Sequence, residues 1–153
     1  MTLSRRLARP MLAATFISGG INTLRDPGPR VALAEAVTTK VAGQLPLPDD
    51  TEQLVKVNAG VQVAAGALLA SGRLPRLAAT ALAVSLVPTT LAGHRFWDME
   101  DPAKKTQQQI HFFKNVGLLG GLILAMVDTE GAPSLRWRAG RAAKRTKDAL
   151  PIG

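Results

Sequence analysis

The sequence predicts an all-α fold: a four-helix transmembrane bundle, N-in/C-in, with a long outer first loop and a basic cytoplasmic tail. Three observations predict it. Charged residues make up 20% of the 153 positions, yet Pro10–Leu24, Val57–Gly72, Leu77–Gly93 and Asn115–Val127 contain none. These windows hold 61 residues, where the average composition would place about 12 charges. A soluble amphipathic helix carries polar residues on its outer face every turn or so, and these windows do not. The third observation is glycine inside the apolar runs (Gly19-Gly20, Gly60, Gly66, Gly117, Gly121). Glycine weakens a soluble helix, but it lets helices pack closely in lipid.

The elements follow in order. Each window reaches the length of a spanning helix, about 17 residues or more, once its flanks are added. The expected spans are 7–24, 54–72, 77–94 and 110–127, forming one domain over 1–133, with the tail at 134–153. Arg9, Lys56 and Lys114 fall in first turns, where long side chains reach the head groups. Pro10 sits in a first turn, and Pro88 is expected to kink the third span. Ser4-Arg5-Arg6 ahead of an apolar stretch resembles a signal peptide, but no small-x-small cleavage site follows, so an uncleaved first span is expected. Pro27, Pro29, Pro46 and Pro48 frame the first loop, and a short surface helix is expected over 31–41. The short Ser71–Arg76 turn makes spans two and three a hairpin. Asp101-Pro102 reads as a helix start leading into span four. With the N-terminus inside, the inner side carries 11 basic residues and the outer side 8, which sets the N-in/C-in orientation.

Composition also narrows function. The chain contains no cysteine and no tyrosine, which removes disulfide frameworks and thiol chemistry. The net charge of +8 sits beside apolar runs, so the basic residues point to a lipid bilayer as partner and not to nucleic acid. Arg136, Trp137, Arg138, Arg141, Lys144, Arg145 and Lys147 in the tail either dock on the anionic inner leaflet or only set topology.

The candidate ligand-binding residues are polar groups delivered to the outer mouth by all four spans. Asn58 and Gln62 stand at i, i+4 on span two. His94 and Arg95 end span three. His111, Lys114 and Asn115 share a face of span four. Arg25 and Asp26 end span one. Such a cluster would suit a quinone head group or an anion, because imidazole exchanges protons near neutral pH. The alternative is interhelical hydrogen bonding and anchoring alone. Two histidines on different helices, without supporting spacing, are not a metal signature, so no metal is expected. No phosphate-binding loop or nucleophile elbow is present.

Several stretches resemble the DoxX family of small bacterial membrane proteins in its actinobacterial form. They are Ala8–Ala14 with Gly19-Gly20, Leu54–Gly66, Gly72–Arg76, Val87–Trp97 and Ile110–Gly121. The resemblance implies a four-helix protein of the bacterial inner membrane. It also implies a membrane subunit or anchor of a redox or oxidative-stress complex, with soluble or membrane redox enzymes as partners and a quinone as the only cofactor, none being bound covalently. On that reading the chain is an accessory subunit and not an independent enzyme. A small transporter or permeability factor, or a scaffold recruiting soluble enzymes, are the competing expectations.

Overall fold

A computed structural model describes residues 3–41 and 50–129, together with Gly131, Trp137, Gly140, Arg141 and Lys144. The described residues are helical, with no strand among them: α1 (Leu3–Arg25), α2 (Gly28–Val41), α3 (Thr51–Ser71), α4 (Pro75–Gly93), a 3-10 turn (Phe96–Asp98) and α5 (Pro102–Val127). Three stretches are long and apolar enough to cross a membrane: Thr51–Ser71, Pro75–Asp98 and Pro102–Val127. The stretch expected as the first span is helical, as α1, whose 23 residues give a rod about 34 Å long, but it is not one of these three stretches. Its basic first turns make it more polar than the other three.

Local chemistry explains the boundaries. Asp50 caps α3, its carboxylate accepting from the Glu52 and Gln53 amides at 2.9 and 3.2 Å. Asp101 caps α5 in the same way, accepting from Ala103 at 2.8 Å, with Pro102 as the first helical residue. Each aspartate satisfies amides that a helix start leaves without partners. The α3–α4 turn ends on Gly72 at φ 72°, with Gly72 and Arg73 amides donating to the Leu69 and Leu68 carbonyls. This is a Schellman ending, which needs a left-handed residue. α4 continues through Pro88 to Gly93. Hydroxyls inside the helices are satisfied locally: Thr23, Thr80, Thr89 and Thr90 each donate to the carbonyl four residues back, at 2.8–2.9 Å. A polar side chain tolerates lipid only when partnered in this manner.

The helices run as neighbours in the order α1, α3, α4, α5, with α2 packed against α3 and α4. α1 and α3 are antiparallel and meet through small residues. A Cβ added to Gly20 would lie 2.8 Å from the Ala59 carbonyl, and one added to Gly66 would lie 2.7 Å from Ile17. The core gathers Ala13, Phe16, Ala65, Leu69, Ala79, Leu82, Leu86 and Leu122. At the end of the bundle holding the Ser71–Arg76 turn, Arg5 clasps Asp128 with Nε and Nη2 at 2.8 and 2.9 Å, and Arg9 reaches it at 3.3 Å. Arg76 donates to the Met126 carbonyl at 2.7 Å. Arg9 is only 5% exposed, so it is an interior ion-pair partner and not the snorkelling side chain that its place in the first turn suggested.

Candidate functional site at one end of the bundle

The opposite end of the bundle is polar on both sides of α4. Helical spacing puts Ser85 and Thr89 on the side facing α3, and Thr90 and His94 on the side facing α5. Gln62 donates to Ser85 Oγ at 3.0 Å, and Asn58 to Thr89 Oγ1 at 3.2 Å. Across the other face, Asn115 donates to Thr90 Oγ1 at 3.0 Å. These contacts form two short ladders that pin together the halves of α3, α4 and α5 far from the Ser71–Arg76 turn.

The second ladder ends in the two histidines. The His94 and His111 rings stack with centroids 5.2 Å apart and planes inclined by 20°. His94 Nδ1 lies 2.7 Å from Gln108 Oε1. An amide oxygen only accepts, so Nδ1 is the donor in this contact. A second interaction that fixes tautomer and ring orientation is how imidazoles are commonly made ready for ligand or proton. Both rings are half-buried. Beside them, Phe96, Trp97 and Phe112 interlock edge to face with centroids 5.2–5.9 Å apart. Amphipathic aromatic clusters of this kind sit at the membrane–water interface.

The expected site residues are thus divided. Asn58, Gln62, His94, His111 and Asn115 are joined through the ladders. Arg95 turns to Asp98, with Nε 3.6 Å from Oδ2. Arg25, Asp26 and Lys114 are exposed, and among the described residues no hydrogen bond or ion pair ties them to the histidines. Gln108 was missed as a site residue. Its spacing of three to His111 and seven to Asn115 puts it on their face, and that periodicity was a usable signal. Of the tail residues, Trp137 is exposed with the Arg141 guanidinium 4.9 Å above its ring, and Lys144 is exposed. Arg136, Arg138, Arg145 and Lys147 lie outside the described residues.

Described residues that are helical, with three stretches long and apolar enough to cross a membrane and polar ladders at one end, define a small polytopic membrane protein. Residues 5–95 match the DoxX family model. This is more than half of the chain, and the chain belongs to the DoxX family. The match covers α1 to α4 and stops before α5, which carries His111–Asn115. No curated protein and no solved structure matches the chain.

Proposed function

We propose that this DoxX protein is the membrane subunit of a bacterial redox complex, with four spans, both ends cytoplasmic, in the inner membrane. Its outer end holds the head group of a quinone, and a partner enzyme delivers the electrons. The observation that carries this reading is the oriented imidazole pair: His94, fixed through Gln108 and stacked on His111. The residues fit a quinone head. They offer aromatic side chains near two imidazoles, and imidazole nitrogens can donate to the carbonyls of the oxidised form or accept from the hydroxyls of the reduced form. When bound, a quinone supplies two-electron, two-proton chemistry. The chain's part is to bind and orient the ring, exclude water with Phe96 and Phe112, and hold a proton at the imidazoles. Net basic charge on the inner side and the exposed Trp137, Arg141 and Lys144 support contact with an anionic cytoplasmic leaflet.

The test is extraction of the tagged protein from native membranes in mild detergent, with partner identification and a quinone assay. Redox enzymes and quinone are expected to co-purify, and His94→Ala or His111→Ala is expected to lose the quinone while keeping the protein in the membrane. Full quinone retention and full complex activity in both variants would exclude the imidazole pair as the redox site. Recovery of the protein alone, together with solute uptake into vesicles containing only this chain, would favour transport.

A further inference from the structure

The chain has two histidines, and they are stacked on each other. His94 follows the last residue of α4, and His111 lies in α5. The two imidazoles are not equivalent. His94 holds its Nδ1 hydrogen against Gln108 Oε1 at 2.7 Å, so a proton gained by this ring goes to Nε2, and the resulting cation keeps its acceptor. His111 forms no hydrogen bond to any described residue. A proton on His111 finds no acceptor among those residues to offset it. Both rings are half-buried, which weakens the help that water gives to a charge.

The surrounding charges make the same distinction. Those that act on His111 are Lys114, about one turn along α5, and His94 itself, so both are positive once His94 is protonated. Lys104 and Lys105 stand about two turns off toward the start of α5. Arg95 is turned to Asp98, with Nε 3.6 Å from Oδ2. The other helices bring charges of both signs to this end: Arg25 and Asp26 at the end of α1, Arg30 and Glu35 on α2, and the Lys56–Glu52 pair on α3. One proton suits the stack, because a cation on His94 lies against a neutral ring. A second proton places two cations 5.2 Å apart, beside a third on Lys114, and like charges at that distance repel strongly outside bulk water.

We propose that the stacked pair is an acid-sensitive latch between α4 and α5, closed while it holds at most one proton and opened by the second. The latch goes beyond the quinone reading and needs no ligand. α5 can respond, because Leu122 is its one buried residue among those described. Near the latch it is held to α4 by the Gln108–His94 contact, the ring stack and the Asn115–Thr90 hydrogen bond. Losing the stack frees this stretch of α5, while Arg76 still holds the far end through the Met126 carbonyl. Phe112, the next residue after His111, packs edge to face on Trp97 and Phe96, so a shift of α5 here disturbs Trp97. Protonation of paired histidines opens contacts between elements in the same manner in known pH sensors.

The experiment titrates the full chain in phosphatidylcholine nanodiscs, without quinone, from about pH 8 to about pH 4.5, where most carboxylates stay ionised. Imidazole nitrogen NMR of the unmodified chain reads this pair alone, since no other histidine is present. Two separate protonation steps are expected, the second proton binding about tenfold or more weakly than the first. In a Trp137→Phe background Trp97 is the single tryptophan, and its emission is expected to move to the red with the second step. His111→Phe keeps a flat ring on His94 but takes no proton, and is expected to abolish that movement. Asp98→Asn, which removes the nearby carboxylate, is expected to retain it. Uptake of both protons in one step would overturn the latch. So would two steps with an unmoved Trp97, or a red shift that persists in His111→Phe. Each of these results leaves the quinone reading standing, because no quinone takes part.

Discussion

Gly20 on α1 sits so close to Ala59 on α3 that a Cβ added to it would lie 2.8 Å from the Ala59 carbonyl oxygen and 2.8 Å from Val63 Cγ2. The first of these neighbours is backbone and cannot turn aside. α1 is the most polar of the long helices, so its place in the bundle depends on this close approach. Gly20→Val is therefore expected to destabilise the bundle by about 1–3 kcal/mol through overpacking. Gly60→Ala, where a Cβ meets nothing within 4 Å, is expected to be neutral or slightly stabilising because alanine is the better helix former. Thermal midpoints of the two variants in the same detergent check the contrast.

The end of the bundle that holds the Ser71–Arg76 turn makes a second prediction. Arg9 is nearly buried and shares the Asp128 carboxylate with Arg5. Asp128→Asn removes that charge and leaves two guanidinium groups facing a neutral amide. The expected cost is about 1–3 kcal/mol, since the charge-assisted hydrogen bonds to the carboxylate are lost. Arg9→Met combined with Asp128→Leu is expected to cost less than the two single changes added together, because hydrophobic groups can replace a buried pair. A thermal-unfolding cycle over the four proteins measures this. Equal costs for the double variant and the sum would show that the pair acts as two independent contacts.

How far the sequence alone revealed these features depends on what each one rests on. The helices were legible because uncharged windows and caps are local signals: Asp101-Pro102 starts α5, and the helix expected over 31–41 is present as Gly28–Val41. The convergence of Asn58, Gln62, His94, His111 and Asn115 was legible because each falls, at helical spacing, in the half of its helix far from the Ser71–Arg76 turn. The pairing was not. Nothing local says that Gln62 meets Ser85, that Gln108 meets His94, or that Arg5 and Arg9 share Asp128 across the length of the chain. Those facts depend on how neighbouring helices are rotated. That rotation is set by the small residues Ala13, Gly20, Ala59 and Gly66, whose role appears only when two helices are brought together.

Gln62 donates to Ser85 from a side chain 8% exposed, which makes this rung the innermost of the α3–α4 ladder. Gln62→Ala is expected to destabilise by about 1–3 kcal/mol, because it leaves the Ser85 hydroxyl short of a partner and opens a small cavity. The coupling within a Gln62→Ala/Ser85→Ala cycle is expected to be smaller, about 1 kcal/mol, in keeping with interhelical hydrogen bonds in membranes. A coupling indistinguishable from zero would mean that packing, and not the hydrogen bond, fixes the register of α3 against α4.

The turn that sets this register carries its own strain. Gly72 and Leu74 both have positive φ, 72° and 48°. Glycine adopts that region without cost, but leucine's Cβ crowds the following carbonyl, at a cost of about 1–2 kcal/mol. Leu74 is also largely exposed, so its side chain returns little packing energy. Replacing it loses almost no burial and removes the strain. Leu74→Gly is therefore expected to stabilise the bundle, by about 0.5 kcal/mol once the extra flexibility of glycine in the unfolded chain is subtracted. Gly72→Ala should do the reverse and cost about 1 kcal/mol, because the Schellman ending requires the left-handed residue. Thermal midpoints of the two variants should move in opposite directions. A destabilised Leu74→Gly would mean that Leu74 makes a contact with lipid that outweighs its backbone strain.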